Sequence, residues 1–157
     1  MQGYVRILLS ARRYVYLQSP YFLPTEPILF AMRTAALAGV DVRLMIPCHS
    51  DSKLVEWASR SYVTEILEAG VKVYLHTSAF LHSKVLVCDD TLCSCGSTNV
   101  DFRSFENNFE ANAFIYHAPT ALAMKAMFIE DMKHCILLNS TGHESHRPFF
   151  ARLWESL

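Results

Sequence analysis

His82-Ser83-Lys84 is the segment whose residue types point most directly to chemistry. Side chains alternate faces along a strand, so His82 and Lys84 are expected on one face, leading into the apolar run Val85-Leu86-Val87. A neutral imidazole beside an ammonium suits attack on an anion: one group supplies a nucleophile and the other holds the negative oxygens. A satisfied strand histidine with a snorkelling lysine gives the same pair, and for the pair alone that structural reading is the better one. Asp89 lies an odd offset beyond His82 and is expected to face away, bracing a turn or pairing with a nearby donor. A second polar segment, Gly96-Ser97-Thr98-Asn99-Val100-Asp101-Phe102-Arg103-Ser104, follows a short strand. Such a loop can present hydroxyl, amide and backbone donors to phosphate oxygens, or it can be an ordinary polar turn with Asx capping.

The elements that must position these residues are read from periodicity. Tyr4 to Arg13 has apolar residues at helical spacing, and Tyr14 to Leu17 is a short strand. Pro20, Pro24 and Pro27 bracket a loop, and Pro27 suits the first turn of a helix over Ile28 to Ala38. Gly39 ends that helix, and Val40 to Ile46 is a strand closed by Pro47. Ser50, Asp51 and Ser52 offer N-caps to a helix whose apolar face is Leu54, Val55, Ala58, Tyr62, Ile66 and Leu67. Gly70 stops it before a strand over Val71 to Leu75. The junctions Ala38-Gly39-Val40-Asp41-Val42 and Ala69-Gly70-Val71-Lys72-Val73 repeat 31 positions apart, which is the mark of successive βαβ units. Strands over 82–88, 92–96 and 109–116, joined by short turns such as Asp89-Asp90-Thr91, are expected to add antiparallel to that sheet. A helix from Pro119 to His134 is expected to bury Leu122, Ala126 and Ile129, and from Asn139 onward a loop leads to a short helical tail. The fold class is therefore α/β, a mixed, largely parallel β-sheet flanked by helices, in a single domain over 1–157.

Composition narrows the function. Of 157 residues, 52% are hydrophobic and 18% charged, which excludes a disordered chain. Fourteen Lys and Arg against 15 Asp and Glu leave a net charge of −1, without the basic excess of a dedicated nucleic-acid binder. The odd set Cys48, Cys88, Cys93, Cys95 and Cys135 lacks disulfide-framework spacing and reads as reduced thiols of a cytosolic setting. No stretch approaches the roughly 18 apolar residues of a membrane span. Arg6, Arg12 and Arg13 break the N-terminal apolar stretch, so no signal peptide is expected. His143-Glu144-Ser145-His146 has its histidines three apart rather than four, and a solvated face is the better reading. Cys88, Cys93 and Cys95 read as small core residues, and Met124, Met127 and Met132 as core filler. Tyr21, Phe22 and Leu23 can line a cleft mouth or simply pack on the sheet, and His49 is read as a polar loop residue.

The joint pattern His-x-Lys-x4-Asp followed by Gly-Ser-x-Asn-x-Asp-x-Arg-Ser resembles the active-site signature of the phospholipase D superfamily. Pro20-Tyr21-Phe22-Leu23-Pro24, Asp51-Ser52-Lys53, Ala58-Ser59-Arg60-Ser61-Tyr62 and Asn108-Phe109-Glu110 make the chain most similar to the C-terminal half of bacterial cardiolipin synthases. The resemblance runs over nearly the whole chain and implies a catalytic set of His82, Lys84, Asp89, Asn99 and Glu110. In it, His82 attacks phosphorus to form a phosphohistidine, and Lys84, Ser97 and Asn99 bind the phosphate oxygens. Glu110, preferred over Glu106, orients the imidazole through its other nitrogen, and Asp101 and Arg103 have structural roles. No metal or other cofactor is implied. The substrate implied is phosphatidylglycerol, two molecules of which yield cardiolipin and glycerol. A lipid or nucleic-acid phosphodiesterase using water, or a lobe inactive without its partner, are the alternatives. Family sites pair two motif copies, whereas this chain has one. The second is expected from another lobe of a longer polypeptide or from a homodimer, with membrane contact at the inner membrane through segments outside these residues.

Overall fold

The computed structural model describes residues 1–49, 53–78 and 81–138. In chain order these form α1 (Gln2–Ser10), β1 (Tyr14–Gln18), β2 (Phe22–Leu23), α2 (Glu26–Leu37), β3 (Asp41–Pro47), α3 (Lys53–Glu68) and β4 (Lys72–His76). Then follow β5 (Val85–Cys88), β6 (Leu92–Gly96), β7 (Val100–Asp101), α4 (Phe102–Glu106), β8 (Asn112–Ile115), α5 (Ala118–Asp131), a 3-10 turn (Met132–His134) and β9 (Cys135–Leu138). The expected N-caps Ser50 to Ser52 and the tail from Asn139, with its His143 and His146, lie outside the described residues.

A seven-stranded mixed sheet runs in the order β8-β6-β5-β1-β3-β4-β9. The repeated junctions deliver the parallel pairs β1–β3 and β3–β4, and the later strands add antiparallel, β5 on β1, β6 on β5 and β8 on β6. Gly39 (φ 88°) and Gly70 (φ 94°) take the left-handed conformation that ends α2 and α3, an angle L side chains adopt only under strain. Pro27 lies in the first turn of α2, where its missing N–H costs nothing.

Period-two alternation on β1 builds two cores. Val15 and Leu17 face the larger one, with Leu8 of α1, Ile28 and Met32 of α2 and Ile66 of α3. Tyr14 and Tyr16 face the other side, where α5 contributes Ala121 and Phe128. Phe128 stacks on Tyr16 with centroids 4.9 Å apart. This corrects the expected face of α5: Leu122 and Ile129 are exposed, as are Ala126 and Met127. The helix is apolar nearly all round, so its own pattern gives no direction, and the aromatic floor of the sheet selects Ala121 and Phe128 instead. Met124 and Met132 do pack there as filler.

The Asp89-Asp90 turn between β5 and β6 is tied by side-chain hydrogen bonds to the α1–β1 junction and to α5. Both residues have positive φ (51° and 62°), tolerated by short polar side chains. Asp89 accepts from the backbone N–H groups of Arg12 (2.8 Å), Arg13 (2.9 Å) and Tyr14 (2.9 Å), clamping the α1–β1 junction. Burial raises its carboxyl, yet those three donors outweigh it and hold Asp89 below the ordinary value of 3.8. Asp90 accepts from Lys125 of α5 at 2.8 Å, from the Tyr14 hydroxyl at 2.8 Å and from Arg13. A carboxyl depressed by folding contributes stability that is complete above its unfolded value and drains as pH falls through the folded one. Asp89→Ala is therefore expected to cost about 2 kcal/mol at neutral pH. In urea unfolding, the gap to wild type should close as pH drops below 3.8.

Candidate active site

The C-terminal ends of β1, β3 and β4 share one edge of the sheet, and β5, antiparallel to β1, begins there. Open α/β sheets bind ligands at that edge. Regular pairing of β5 starts at Val85, opposite Gln18, rather than at His82 as its alternation had implied. The segment 81–84 therefore enters the sheet as irregular backbone. His82 is exposed and Lys84 half-buried. Lys84 Nζ lies 3.2 Å from His82 Nδ1 and donates to the His82 carbonyl at 2.9 Å, so imidazole and ammonium form one unit. Burial pushes the Lys84 ammonium below its ordinary 10.5, while the charges of Glu110 and Asp101 oppose the shift. Those two carboxylates are thus within electrostatic range of Lys84.

The second arm descends from β6. Ser97 donates to Glu110 Oε2 and accepts the Ala111 N–H at 3.0 Å. Ser104 (3.2 Å) and Asn108 (3.3 Å) donate to Glu110 Oε1. The Ser97 hydrogen bond leads in holding Glu110 below the usual carboxylate range, with Asn108, Ser104 and the charge of Lys84 adding to it. Asp101 caps α4 by accepting Ser104 N–H at 2.6 Å, and Arg103 is exposed on that helix. Asn99, in the loop between β6 and β7, is half-buried, and its Oδ1 is buried with no hydrogen-bond partner among the described residues. An orphaned acceptor costs about 1–3 kcal/mol, which a ligand donor or a turned amide would relieve. Glu106 is exposed at the end of α4.

The structure thus brings His82 and Lys84 together, and gathers Ser97, Ser104, Asn108 and Glu110 into one cluster whose charge Lys84 feels. It does not bring Asp89 to the site. Counted with the catalytic set by its motif, Asp89 sits beyond the far end of β5 and acts on the fold as the turn brace described above. Phe22 and Leu23 form β2, which pairs with β7 and so steadies the loop carrying Asn99. Ser19, absent from the sequence expectations, is fully buried, accepts the Val100 N–H at 3.0 Å and donates to the Tyr21 carbonyl at 2.7 Å. Gln18, equally unexpected, accepts from Ser83. The available signal was two polar residues closing a buried apolar strand immediately before Pro20. Among the described residues no group of three His, Cys, Asp or Glu side chains is placed to hold a metal, and no helix is long and apolar enough to cross a membrane.

Comparison with known proteins adds identity to this geometry. The family described as "Cardiolipin synthase, PLD-like domain" matches residues 4–132. A cardiolipin synthase of Clostridium perfringens (strain SM101 / Type A) is 44% identical over 155 residues, covering 99% of this chain and 32% of the relative. One from Geobacillus kaustophilus is 46% identical over 156 residues, 99% of this chain and 31% of that protein. The chain therefore spans about a third of the length of the curated relatives it matches. Among solved structures, the phospholipase D family member Nuc from Salmonella typhimurium superposes with a TM-score of 0.78 at 18% identity, covering 88% of this chain and 90% of that one. The phosphatidylserine synthase of Haemophilus influenzae gives 0.72 at 16% identity, over 99% of this chain and 40% of the other. At those identities the likeness is one of fold, and it agrees with the mixed sheet flanked by helices. The residues matched, from the first helix to the end of α5, include both arms of the site, and the chain belongs to the cardiolipin synthase, PLD-like domain family.

Proposed function

We propose that this chain is one catalytic lobe of a phosphatidyltransferase that converts two phosphatidylglycerol molecules into cardiolipin and glycerol. The observation that carries the reading is the His82–Lys84 unit at the carboxyl edge of the sheet, with Lys84 3.2 Å from the ring. A bound phosphodiester draws the Lys84 ammonium onto its non-bridging oxygens, and with it the grip on the ring nitrogen loosens. The freed lone pair of His82 attacks phosphorus; the bond from phosphorus to the glycerol oxygen breaks, and that oxygen takes a proton from an acid across the cleft. In the second half, the hydroxyl of another phosphatidylglycerol gives its proton to the same group, attacks phosphorus and expels His82. Asn99 helps to hold the phosphate oxygens, and Ser97 joins it when its one hydroxyl proton turns from Glu110 to the phosphate. Glu110 has three of its roughly four acceptor positions filled, leaving one for an imidazole N–H.

The acid across the cleft belongs to a second lobe, in the same longer polypeptide or in a second copy, and membrane attachment at the inner membrane belongs to segments outside these residues. The length of the relatives supports the first arrangement. Given phosphatidylglycerol vesicles, the full-length polypeptide is expected to make cardiolipin and glycerol in equal amounts. Phosphatidic acid without cardiolipin would mean that water, not a lipid hydroxyl, is the acceptor.

The Lys84 environment also sets a pH limit. Its ammonium is needed for the phosphate, and deprotonation above its depressed value removes that charge. Activity measured as kcat/KM should therefore fall on the alkaline side before pH 10.5 is reached. Lys84→Arg, always charged, is expected to lose that alkaline limb while running slower at neutral pH, because the guanidinium fork does not reproduce a point cation.

A further inference from the structure

Regular pairing of β1 with β5 stops at Gln18 and Val85, so the ladder ends just short of the two residues on which the chemistry depends. What fixes the irregular segment 81–84 is then a question of side chains. Ser83, the residue between His82 and Lys84, donates from Oγ to Gln18 Oε1 at 2.9 Å. Gln18 is only 6% exposed, and its Nε2 donates to Asp131 Oδ2 at 2.7 Å while lying 3.4 Å from Met45 Sδ. The direction of this chain follows from its end. A carboxylate only accepts, so the amide nitrogen must face Asp131, the amide oxygen must face Ser83, and the hydroxyl must donate. Asp131 closes α5, whose position on the sheet is set one turn earlier by Phe128 on Tyr16. The Ser83 backbone is thereby referred to both the rigid strand and the rigid helix.

We propose that Asp131, Gln18 and Ser83 form a positioning relay that holds the His82–Lys84 pair in register for reaction. None of the three is a catalytic residue; they act through the backbone between imidazole and ammonium. The proposal rests on the His82 reading above. In the full-length polypeptide, Ser83→Ala is expected to lower kcat roughly ten- to hundredfold, the scale of a sub-ångström to ångström misplacement of a reacting group. KM and the melting temperature should change little. Ser83→Thr keeps the hydroxyl and should restore most of the rate. Because the three groups act in series, Ser83→Ala combined with Gln18→Met should lose little more than either alone.

A second readout is independent of turnover: the rate at which diethylpyrocarbonate modifies His82, followed by peptide mass spectrometry. Ser83→Ala should raise it severalfold as Lys84 loses its hold on the ring, and Ser83→Thr should return it to normal. An unchanged kcat with an unchanged modification rate in Ser83→Ala overturns the relay, as do fully additive losses in the double variant. If instead His82→Ala still transfers, the reaction assigned to His82 fails, while a changed modification rate in Ser83→Ala still establishes the relay.

Discussion

Replacing His82 by alanine should reduce phosphatidyl transfer about 10⁴-fold or more, with lipid binding largely retained. The size follows from the role. A nucleophile that forms a covalent intermediate is not replaced by water within the same geometry, and losses of this order accompany its removal in other covalent enzymes. Ser97 and Glu110 would remain in place, because the contacts among Ser97, Ser104, Asn108 and Glu110 do not pass through the imidazole. Lys84 would lose its ring contact but keep its hydrogen bond to the carbonyl of residue 82. The variant should therefore keep its affinity for the phosphate while losing turnover, a fall in kcat with KM little changed. Single-turnover and steady-state assays on phosphatidylglycerol vesicles measure both quantities. A variant with ordinary turnover would remove His82 from the reaction.

The second large effect concerns the close approach of two strands. Gly96 is the last residue of β6 and pairs with Asn112, the first of β8. A methyl group on Gly96 would lie 2.2 Å from the Ala111 carbonyl oxygen, 2.1 Å from Asn112 Oδ1 and 2.7 Å from Asn112 Cα. Two of these neighbours are backbone and cannot swing aside. Gly96→Ala is therefore expected to cost about 3 kcal/mol, seen as a fall of about 10 °C in melting temperature. The damage should also reach the site. Ser97 is tied to Ala111 through both its N–H and its hydroxyl, and Asn112 holds Thr98 N–H at 3.3 Å and Tyr4 at 2.9 Å. Pushing β8 away separates Glu110 from Ser97, so activity measured well below the melting temperature should fall as well. Wild-type stability in this variant would show that the two strands part without cost.

Much of this layout was legible before any coordinates. The glycines that stop α2 and α3 announced their left-handed angles by following helical runs and preceding β-rich ones, and both junctions fold as read. Asp89, expected to brace the turn or pair with a nearby donor, does both. The strand alternation behind that expectation does not extend back to His82, because regular pairing begins only at Val85. The readings that failed depend on what lies across the sheet. α5 is apolar on several sides, and only the tyrosines beneath it select Ala121 and Phe128 for burial. β9 went unread because Cys135 follows the helix and its short turn without a break in pattern, and it becomes a strand only by pairing with β4. The β2–β7 pair joins two-residue segments, Phe22 and Val100 among them, that have no strand pattern of their own. Within the site, the His82–Lys84 contact came from adjacent positions and could be anticipated. The Ser83–Gln18–Asp131 connection joins residues 65 and 113 positions apart, a distance at which spacing carries no signal.

On the proposed reading, a fold with little net charge prepares its phosphate site locally. Among the described residues, the ammonium beside the imidazole is that of half-buried Lys84. The neighbouring carboxylate is occupied by neutral donors, Ser97, Ser104 and Asn108, instead of being cancelled by a contacting cation. Lys84 is left with its ring and carbonyl contacts to His82, both of which a phosphate oxygen can displace.

The central claim is that phosphorus passes through a bond to the His82 ring. Rapid acid-free quenching of the full-length polypeptide with phosphatidylglycerol labelled in its phosphate tests it directly. The expected result is a labelled protein whose label is stable in alkali, lost in acid, and located on His82 by peptide mapping. Label absent during turnover, or attached to any other residue, would contradict it.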